Sequence, residues 1–184
     1  MTERAIGRPS SVEQVVNGLS YSSKEWYAVY TVVRHEKVVS TALTENNIES
    51  FLPLVEVTSQ WKDRKKRVLM PLFPGYLFVN IRLQERWNVL NTRGVVKVLG
   101  VNGNPVPVPV EQIDAIKKLL ENRLKYEPYS YFATGKEVVV TNGPLQGIRG
   151  KIVDKRGGCR LVLSVDIIQR SVAVEVDIRD VEIA

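Results

Sequence analysis

The pattern of apolar residues changes once along this chain, at residues 126–134. Before that segment, runs with strand periodicity alternate with runs of helical periodicity, whereas after it five short β-rich runs follow with no helical period. The segment itself contains Pro128 and has neither periodicity. We therefore predict a flexible tail, an α/β domain, a linker and a small β domain at residues 1–24, 25–125, 126–134 and 135–184.

The proposed α/β domain begins with a strong strand signal. Residues 26–33 are mostly aromatic or β-branched with both alternating faces largely apolar, which predicts a strand covered on both sides. Helical spacing predicts helices at residues 36–46 and 111–125. Residues 51–61 and 67–70 are predicted to be strands on either side of a basic tip. One α/β sandwich accounts for this alternation.

The last segment favours a small β-barrel, since closing a sheet of short strands removes its exposed edges. The predicted fold class is therefore α+β, with an N-terminal sandwich and a C-terminal barrel joined by a linker.

Composition argues against an enzyme. His35 and Cys159 are the only histidine and cysteine, so neither a His/Cys metal site nor a Ser-His-Asp triad is expected. No phosphate-cradling loop or paired-carboxylate arrangement is recognisable. The longest mostly apolar run, residues 68–79, is interrupted by prolines and is shorter than the roughly 20 residues that span a bilayer. We expect a cytoplasmic protein with no catalytic residue, cofactor, metal or membrane partner.

The net charge of +6 is concentrated in the middle of the chain. Residues 25–125 carry 15 basic and 10 acidic side chains, whereas residues 126–184 carry 8 of each. Part of the excess is a run that includes Arg64, Lys65 and Lys66. Such a run is compatible with nucleic-acid binding, and equally with a solvated hairpin tip.

Two local motifs carry the functional interpretation. Residues 138–153 form a strand-loop-strand pattern with Asn142-Gly143 at its turn, which resembles the KOW motif of transcription elongation factors and some ribosomal proteins. In residues 71–79, two prolines bracket Leu72 and Phe73 before an aromatic strand. These two side chains are either partly exposed for a protein partner or part of the core, and periodicity does not decide between the two.

Together with Trp26-Tyr27 and Arg93-Gly94-Val95, these motifs resemble the NusG family of transcription elongation factors. The resemblance implies an NGN-type N-terminal domain and a KOW, SH3-like barrel. It also implies a monomer that binds the clamp of RNA polymerase, suppresses pausing and promotes antitermination. By position, the polymerase-binding residues would be Tyr30, Phe73 and Tyr76.

The same resemblance places residues 91–93 beside the non-template DNA strand of the transcription bubble. Arg93 would approach the strand, and Asn91 and Thr92 could hydrogen-bond an unpaired base. An ordinary polar loop is the alternative for these three residues.

The sequence departs from the housekeeping pattern of the family in its last segment. Ile168 stands where housekeeping members carry a Phe that contacts termination factor Rho and a ribosomal protein, while Arg170 is retained. The smaller Ile weakens the case for Rho, and contact with a ribosomal protein through the barrel stays open.

Residues 71–73 and 93–95 are more similar to the specialised RfaH-like and UpxY-like paralogues, so we predict a specialised antiterminator. One alternative is a housekeeping factor that couples polymerase to Rho and the ribosome. Another is a ribosome-associated KOW protein that binds RNA, against which the neutral charge of residues 126–184 argues.

Overall fold

The computed structural model describes residues 15–16, 19–20, 23–61, 64–131, 135–155 and 158–184. For residues 15–16, 19–20, 59–61, 64–66 and 154–155 the description covers the backbone alone. The helices are α1 (Glu36–Glu45), α2 (Arg86–Leu90) and α3 (Val110–Glu121). Short 3₁₀ turns are found at Leu83–Glu85, Asp166–Ile168 and Ile178–Asp180.

The strands of the N-terminal part are β1 (Val15–Val16), β2 (Leu19–Ser20), β3 (Glu25–Thr31), β4 (Glu49–Phe51), β5 (Leu54–Trp61), β6 (Arg64–Pro71), β7 (Tyr76–Ile81), β8 (Val95–Val98), β9 (Gly100–Val101), β10 (Asn104–Pro105) and β11 (Pro107–Val108). The remaining strands are β12 (Tyr126–Tyr129), β13 (Lys136–Val140), β14 (Arg149–Lys155), β15 (Gly158–Val165), β16 (Arg170–Val176) and β17 (Val181–Ile183).

Strand β3 is the centre of a five-stranded antiparallel sheet, in which it pairs with β7, β8 and β11 while β4 pairs with β7. Its alternate side chains enter two different cores. Trp26 and Ala28 join the apolar cluster that includes α3, whereas Tyr27 and Val29 join the cluster that includes α1. The prediction of a strand covered on both sides is therefore confirmed.

The two long helices follow their predicted apolar faces. Helix α1 buries Val39 and Leu43 and ends at Asn46, whose backbone N–H caps the preceding turn. Helix α3 is shorter than predicted: it stops at Glu121, and Arg123 has a left-handed φ of 49°. A left-handed residue directs the chain out of the helical path, so the apolar spacing that continues to Leu124 does not continue the helix.

Strands β5 and β6 form the hairpin predicted around the basic run. Their register runs from Leu54 opposite Pro71 to Trp61 opposite Arg64. Lys37 of α1 donates a hydrogen bond from Nζ to the carbonyl of Leu69, at 2.7 Å, which ties the base of the hairpin to the helix. The turn between the two strands lies outside the described residues.

The C-terminal part is a six-stranded sheet in the order β12-β16-β15-β14-β13-β17. The prediction of a β-rich C-terminal region in a mixed fold is confirmed. Residues 126–129, however, were predicted as linker and instead form the strand β12. Pro128 is tolerated there because β12 is the terminal strand in the sheet order, and Glu127 forms an ion pair with Arg160 of β15.

Within the predicted tail, the described residues form a short antiparallel pairing of β1 with β2. The rest of residues 1–22 lies outside the described part of the chain.

One apolar cluster is continuous across the N-terminal sheet, helix α3 and the C-terminal sheet. Helix α3 packs against β3 and also against β15, so it lies at the junction of the two parts. The buried members of this cluster are Trp26, Ala28, Phe73, Phe78, Val108, Ile113, Ala115, Ile116, Leu119, Val138, Val140, Leu145, Ile148, Leu161, Leu163, Val165, Ile168, Val172 and Val174. Apolar burial on this scale is the main force that holds the two parts together.

Candidate functional site

Two tyrosines form a pair on one face of the N-terminal sheet. Tyr30 of β3 lies opposite Tyr76 of β7 in the strand register, and their ring centroids are 5.3 Å apart with the planes tilted by 47°. Both side chains are half-buried, so each ring keeps some accessible surface. Large aromatic side chains of this kind are common anchors in protein interfaces.

The turn before Tyr76 holds this pair in place. Gly75 has a left-handed φ of 83°, and a Cβ atom at this position would lie 3.2 Å from Cε2 of Tyr30. Its N–H donates to Oε1 of Glu36 at 2.7 Å, and its carbonyl accepts from the N–H of Thr31 at 2.9 Å. Glu36 and Thr31, the two partners of these hydrogen bonds, are both buried. The lack of a side chain at Gly75 therefore lets the turn approach Tyr30 closely.

Sequence reasoning missed Glu36. Its position at the start of a predicted helix is explained by the general preference for acids there, so the sequence gives no sign of its contact with Gly75. The structure shows a carboxylate only 4% exposed that accepts a backbone N–H across 39 residues of sequence. Charge-assisted hydrogen bonds of this kind are among the strongest in proteins.

Phe73 does not lie beside the two tyrosines as an accessible ring. It is 2% exposed and packs edge-on against Phe78, with ring centroids 6.5 Å apart. Leu72 is half-buried. Of the two alternatives for Phe73, the structure shows a core residue, because the ring belongs to the cluster shared by α3 and the C-terminal sheet. Its contact with polymerase stays a prediction.

The face of the sheet that carries the tyrosine pair is the face on which α3 and the C-terminal sheet pack. Trp26, Ala28 and Tyr30 lie two residues apart along β3, so their side chains share one face of the sheet, and the first two are buried in the shared cluster. Tyr76 itself packs against that cluster. The C-terminal sheet therefore covers the part of this sheet face that lies next to the two tyrosines.

Hydrogen bonds between α3 and the C-terminal part surround the apolar cluster that the two share. Gln112 of α3 donates from Nε2 to Oδ2 of Asp166 at 2.6 Å and accepts from the backbone N–H of Asp166 at 3.1 Å. Lys118 donates to the carbonyl of Gln146 at 2.7 Å. Burial, together with the neighbouring Asp166 carboxylate, raises the pKa of the Tyr131 hydroxyl. A cleft of about 700 Å³ is lined in part by Gln112, Tyr131 and Asp166.

The turn predicted to bind partners in the C-terminal part is joined to this contact. Ile168 is 6% exposed and lies in the shared cluster, so its side chain is not accessible in this structure and its contact with a partner stays a prediction. The reason is that the 3₁₀ turn at Asp166–Ile168 directs Ile168 inward while Asp166 is hydrogen-bonded to α3. Arg170 is exposed, as a contact residue would have to be.

The predicted DNA-contacting loop follows α2. Asn91 and Arg93 are exposed, but Thr92 is buried and its hydroxyl donates to the carbonyl of Asn88 at 3.1 Å. The hydroxyl of Thr92 therefore uses its proton within α2, and its contact with a base stays a prediction. The side chains of Arg64, Lys65 and Lys66 lie outside the described part of the hairpin.

Among the described residues, no group of three His, Cys, Asp or Glu side chains is arranged as metal ligands would be. None of the described helices is long and apolar enough to cross a membrane.

Comparison with known proteins is consistent across sequence and fold. Residues 24–117 match the family model described as transcription termination factor nusG. The transcription termination/antitermination protein NusG of Pasteurella multocida is 30% identical over 178 residues, which cover 88% of this chain and 96% of the relative. That of Thermus thermophilus is 30% identical over 183 residues, with 86% and 98% coverage.

A solved structure of Thermotoga maritima NusG, described for its domain interaction, matches with a TM-score of 0.51 and 22% identity. The match covers 88% of this chain and 98% of that one, so it supports the fold. The expectation of a transcription factor rather than an enzyme is confirmed by the family model and the relatives. The chain belongs to the NusG family of transcription termination and antitermination factors.

Proposed function

We propose that this protein is an elongation factor that binds the clamp of RNA polymerase, suppresses pausing and promotes antitermination as a specialised NusG paralogue. The observation that carries the proposal is the Tyr30–Tyr76 pair, fixed by Gly75 and Glu36 on an otherwise apolar sheet face. Its test is co-purification of the tagged chain with core RNA polymerase. Retention of polymerase is expected, and recovery of the chain alone would refute the assignment.

The proposed domain division is an NGN-type domain at residues 25–125 and a KOW, SH3-like barrel at residues 135–184. The strand-loop-strand unit of β13 and β14, whose turn includes Gly143 with a φ of 82°, supports the KOW assignment. Residues 126–184 carry 8 acidic and 8 basic side chains, and this balance supports a protein partner rather than RNA.

In the closed arrangement, both proposed partner surfaces are restricted at once. The shared cluster buries Phe73 of the polymerase-binding set and Ile168 of the barrel turn. We propose that polymerase binding requires the two domains to separate. The free energy needed to separate the two domains reduces the net binding free energy, so the closed protein binds polymerase more weakly than its open form does.

This closed contact favours a specialised factor over the housekeeping alternative. A housekeeping factor has to present its barrel turn to Rho and to the ribosome, whereas here Asp166 and Ile168 are engaged by α3 and the shared cluster. We propose that contact with a ribosomal protein through Arg170 and Ile168 follows release of the barrel.

The hydrogen bonds of Gln112 provide a direct test of this arrangement. A Gln112→Ala variant loses both hydrogen bonds to Asp166, each worth about 1 kcal/mol, and is expected to bind core polymerase roughly 30-fold more tightly. Small-angle scattering should show a larger radius of gyration for the free variant. Gln84→Ala, at an exposed glutamine in the 3₁₀ turn before α2, is the matched control. Unchanged affinity and radius in the Gln112 variant would contradict the closed state.

Arg93 is proposed to contact the non-template DNA strand, since it is exposed and follows the exposed Asn91. An Arg93→Ala variant should lose recruitment or pausing at a preferred site, while its affinity for polymerase away from that site stays as in the wild type. Pausing assays on a template with and without the preferred sequence measure the difference. Wild-type behaviour on both templates would exclude the DNA role.

A further inference from the structure

The cleft beside helix α3 is lined by residues from both parts of the protein. Its volume of about 700 Å³ lies within the range of roughly 300–1,000 Å³ that is usual for small-molecule sites. Helix α3 contributes Glu111 and Gln112, Tyr131 follows strand β12, and strands β13, β14 and β15 contribute from the C-terminal sheet. The cleft therefore has this shape only while α3 and the C-terminal sheet are in contact.

Three apolar residues that line the cleft are almost completely buried. Ala115 of α3 is 3% exposed, and Val162 and Leu163 of β15 are 2% and 1% exposed. Their low exposure places them at the inner end of the cleft rather than at its mouth. Apolar residues in this place favour a ligand with an apolar body, because the surface of that body is removed from water on binding.

Two cationic side chains line the cleft from a single strand. Arg149 and Lys151 are two residues apart in β14, so their side chains project from the same face of the strand. Both are exposed, and neither forms an ion pair with another residue in the part of the chain that the structure describes. An anionic group of a ligand therefore gains two charge partners without displacing an existing one.

Three acidic side chains also line the cleft, and they restrict the kind of anion that fits. The carboxylate of Asp166 accepts a hydrogen bond from Gln112 and shares another with the hydroxyl of Tyr131. Glu137 lies across from the cationic pair in the strand register, and Glu111 lies in the first turn of α3. A compact, multiply charged anion is repelled by these acids and gains nothing from the apolar lining. A single negative group on an apolar body is favoured instead.

We propose that this cleft is a binding site for a small amphipathic anion, and that a bound anion holds the two parts of the protein together. The apolar body lies against Ala115, Val162 and Leu163, and the negative group is bound by Arg149 and Lys151. Because the ligand contacts α3 and β14 at once, its binding free energy adds to that of the contact between the two parts.

The regulatory consequence rests on the proposed function, whereas the binding site itself does not. Binding to polymerase is proposed to require separation of the two parts, and the anion is bound only while they are in contact. The two binding events therefore weaken each other by the same factor, as linkage requires. The bound anion would act as an inhibitor of recruitment to polymerase.

The experiment titrates the full chain with anilinonaphthalene sulfonate, an aromatic anion whose fluorescence increases in an apolar site. Saturable binding to the native protein is expected. Arg149→Gln/Lys151→Gln should weaken it about ten-fold, because loss of one exposed charge partner weakens binding by up to about five-fold. Glu111→Gln should strengthen it about two-fold, because a repelling charge is removed. Arg123→Gln/Lys125→Gln is the matched control, since it removes the same charge from exposed residues outside the cleft.

Three outcomes overturn the binding site. The first is that the wild type does not bind the probe, or that Arg149→Gln/Lys151→Gln, shown by urea denaturation to be folded, binds it equally well. The second is an equal loss of affinity in the Arg123/Lys125 control, which would indicate attraction by net charge alone. The third is displacement of the probe by inorganic phosphate at similar concentrations, which would indicate a site for any anion.

The link to polymerase is measured separately, by co-purification with core RNA polymerase at a probe concentration that fills the wild-type cleft but not that of the double variant. The probe should lower recovery of polymerase with the wild type and leave recovery with Arg149→Gln/Lys151→Gln unchanged. Equal recovery with and without probe, or equal inhibition of both proteins, overturns the regulatory role. Failure of the wild type to recover polymerase without probe refutes the proposed function instead, and the fluorescence titration is independent of that result.

Discussion

Replacing Tyr30 and Tyr76 together by alanine is expected to weaken binding to core RNA polymerase roughly 100-fold. Each ring is a half-buried aromatic side chain on the proposed interface, and truncation of such an anchor typically costs about 2 kcal/mol or more. The two losses do not add fully, because each ring also supports the other. Pull-down with purified polymerase at several concentrations measures the effect.

The folded state should survive this double substitution. An aromatic pair contributes about 0.5–1.5 kcal/mol beyond its buried area, and neither tyrosine is completely buried. Tyr30→Phe/Tyr76→Phe keeps the rings and should bind like wild type. Tyr129→Ala, at a half-buried tyrosine of β12, controls for the loss of an aromatic ring elsewhere. A folded double alanine variant that retains normal affinity would remove the tyrosine pair from the interface.

Gly75→Val is expected to lower the free energy of unfolding by about 3 kcal/mol. A β-branched residue at a φ of 83° is strained, and its Cβ would lie 3.2 Å from the Tyr30 ring. Relief of either strain moves the Gly75 N–H away from Glu36 and leaves a buried carboxylate without that donor. Urea denaturation measures the loss, and the variant should also lose polymerase affinity because Tyr30 is displaced.

Gly103→Val separates backbone strain from close packing. Gly103 has nearly the same φ, 81°, but no atom lies within 4 Å of a Cβ built there. Its substitution should cost only the left-handed strain, about 1–2 kcal/mol. Equal losses in the two variants would show that the approach of Gly75 to Tyr30 and Glu36 contributes no stability.

Periodicity predicted the secondary structure well where one side of an element is buried. The alternation in residues 26–33 and the helical spacing in residues 36–46 each correspond to an element with a buried face, β3 and α1. The two errors at element ends have local causes. Arg123 adopts a left-handed conformation that apolar spacing does not reveal, and β12 pairs as a terminal strand, where Pro128 needs no ladder partner on its open side.

Residues of the candidate site could be named from the sequence, but their exposure to solvent could not be predicted. The resemblance to the NusG family pointed to Tyr30 and Tyr76, whose rings the structure brings into contact. The burial of Phe73 and Ile168 depends on packing between residues far apart in the chain. The resemblance placed Thr92 beside the DNA strand, whereas only the structure shows that its hydroxyl donates to the carbonyl four residues earlier in the chain.

Glu36 and Trp87 illustrate two different limits of the sequence. A carboxylate at a helix start has an ordinary local explanation, so only the fold reveals its hydrogen bond to Gly75. A tryptophan at a helical position is usually taken as core, so only its 59% exposure separates it from a packing residue.

We propose that this chain acts on transcribing RNA polymerase to promote read-through. The most direct test is the fraction of transcripts that pass a Rho-dependent terminator in a purified transcription system, with and without the protein. The wild type is expected to increase read-through, and Tyr30→Ala/Tyr76→Ala is expected to leave it unchanged. Unchanged read-through, or termination enhanced by the wild type, would contradict it.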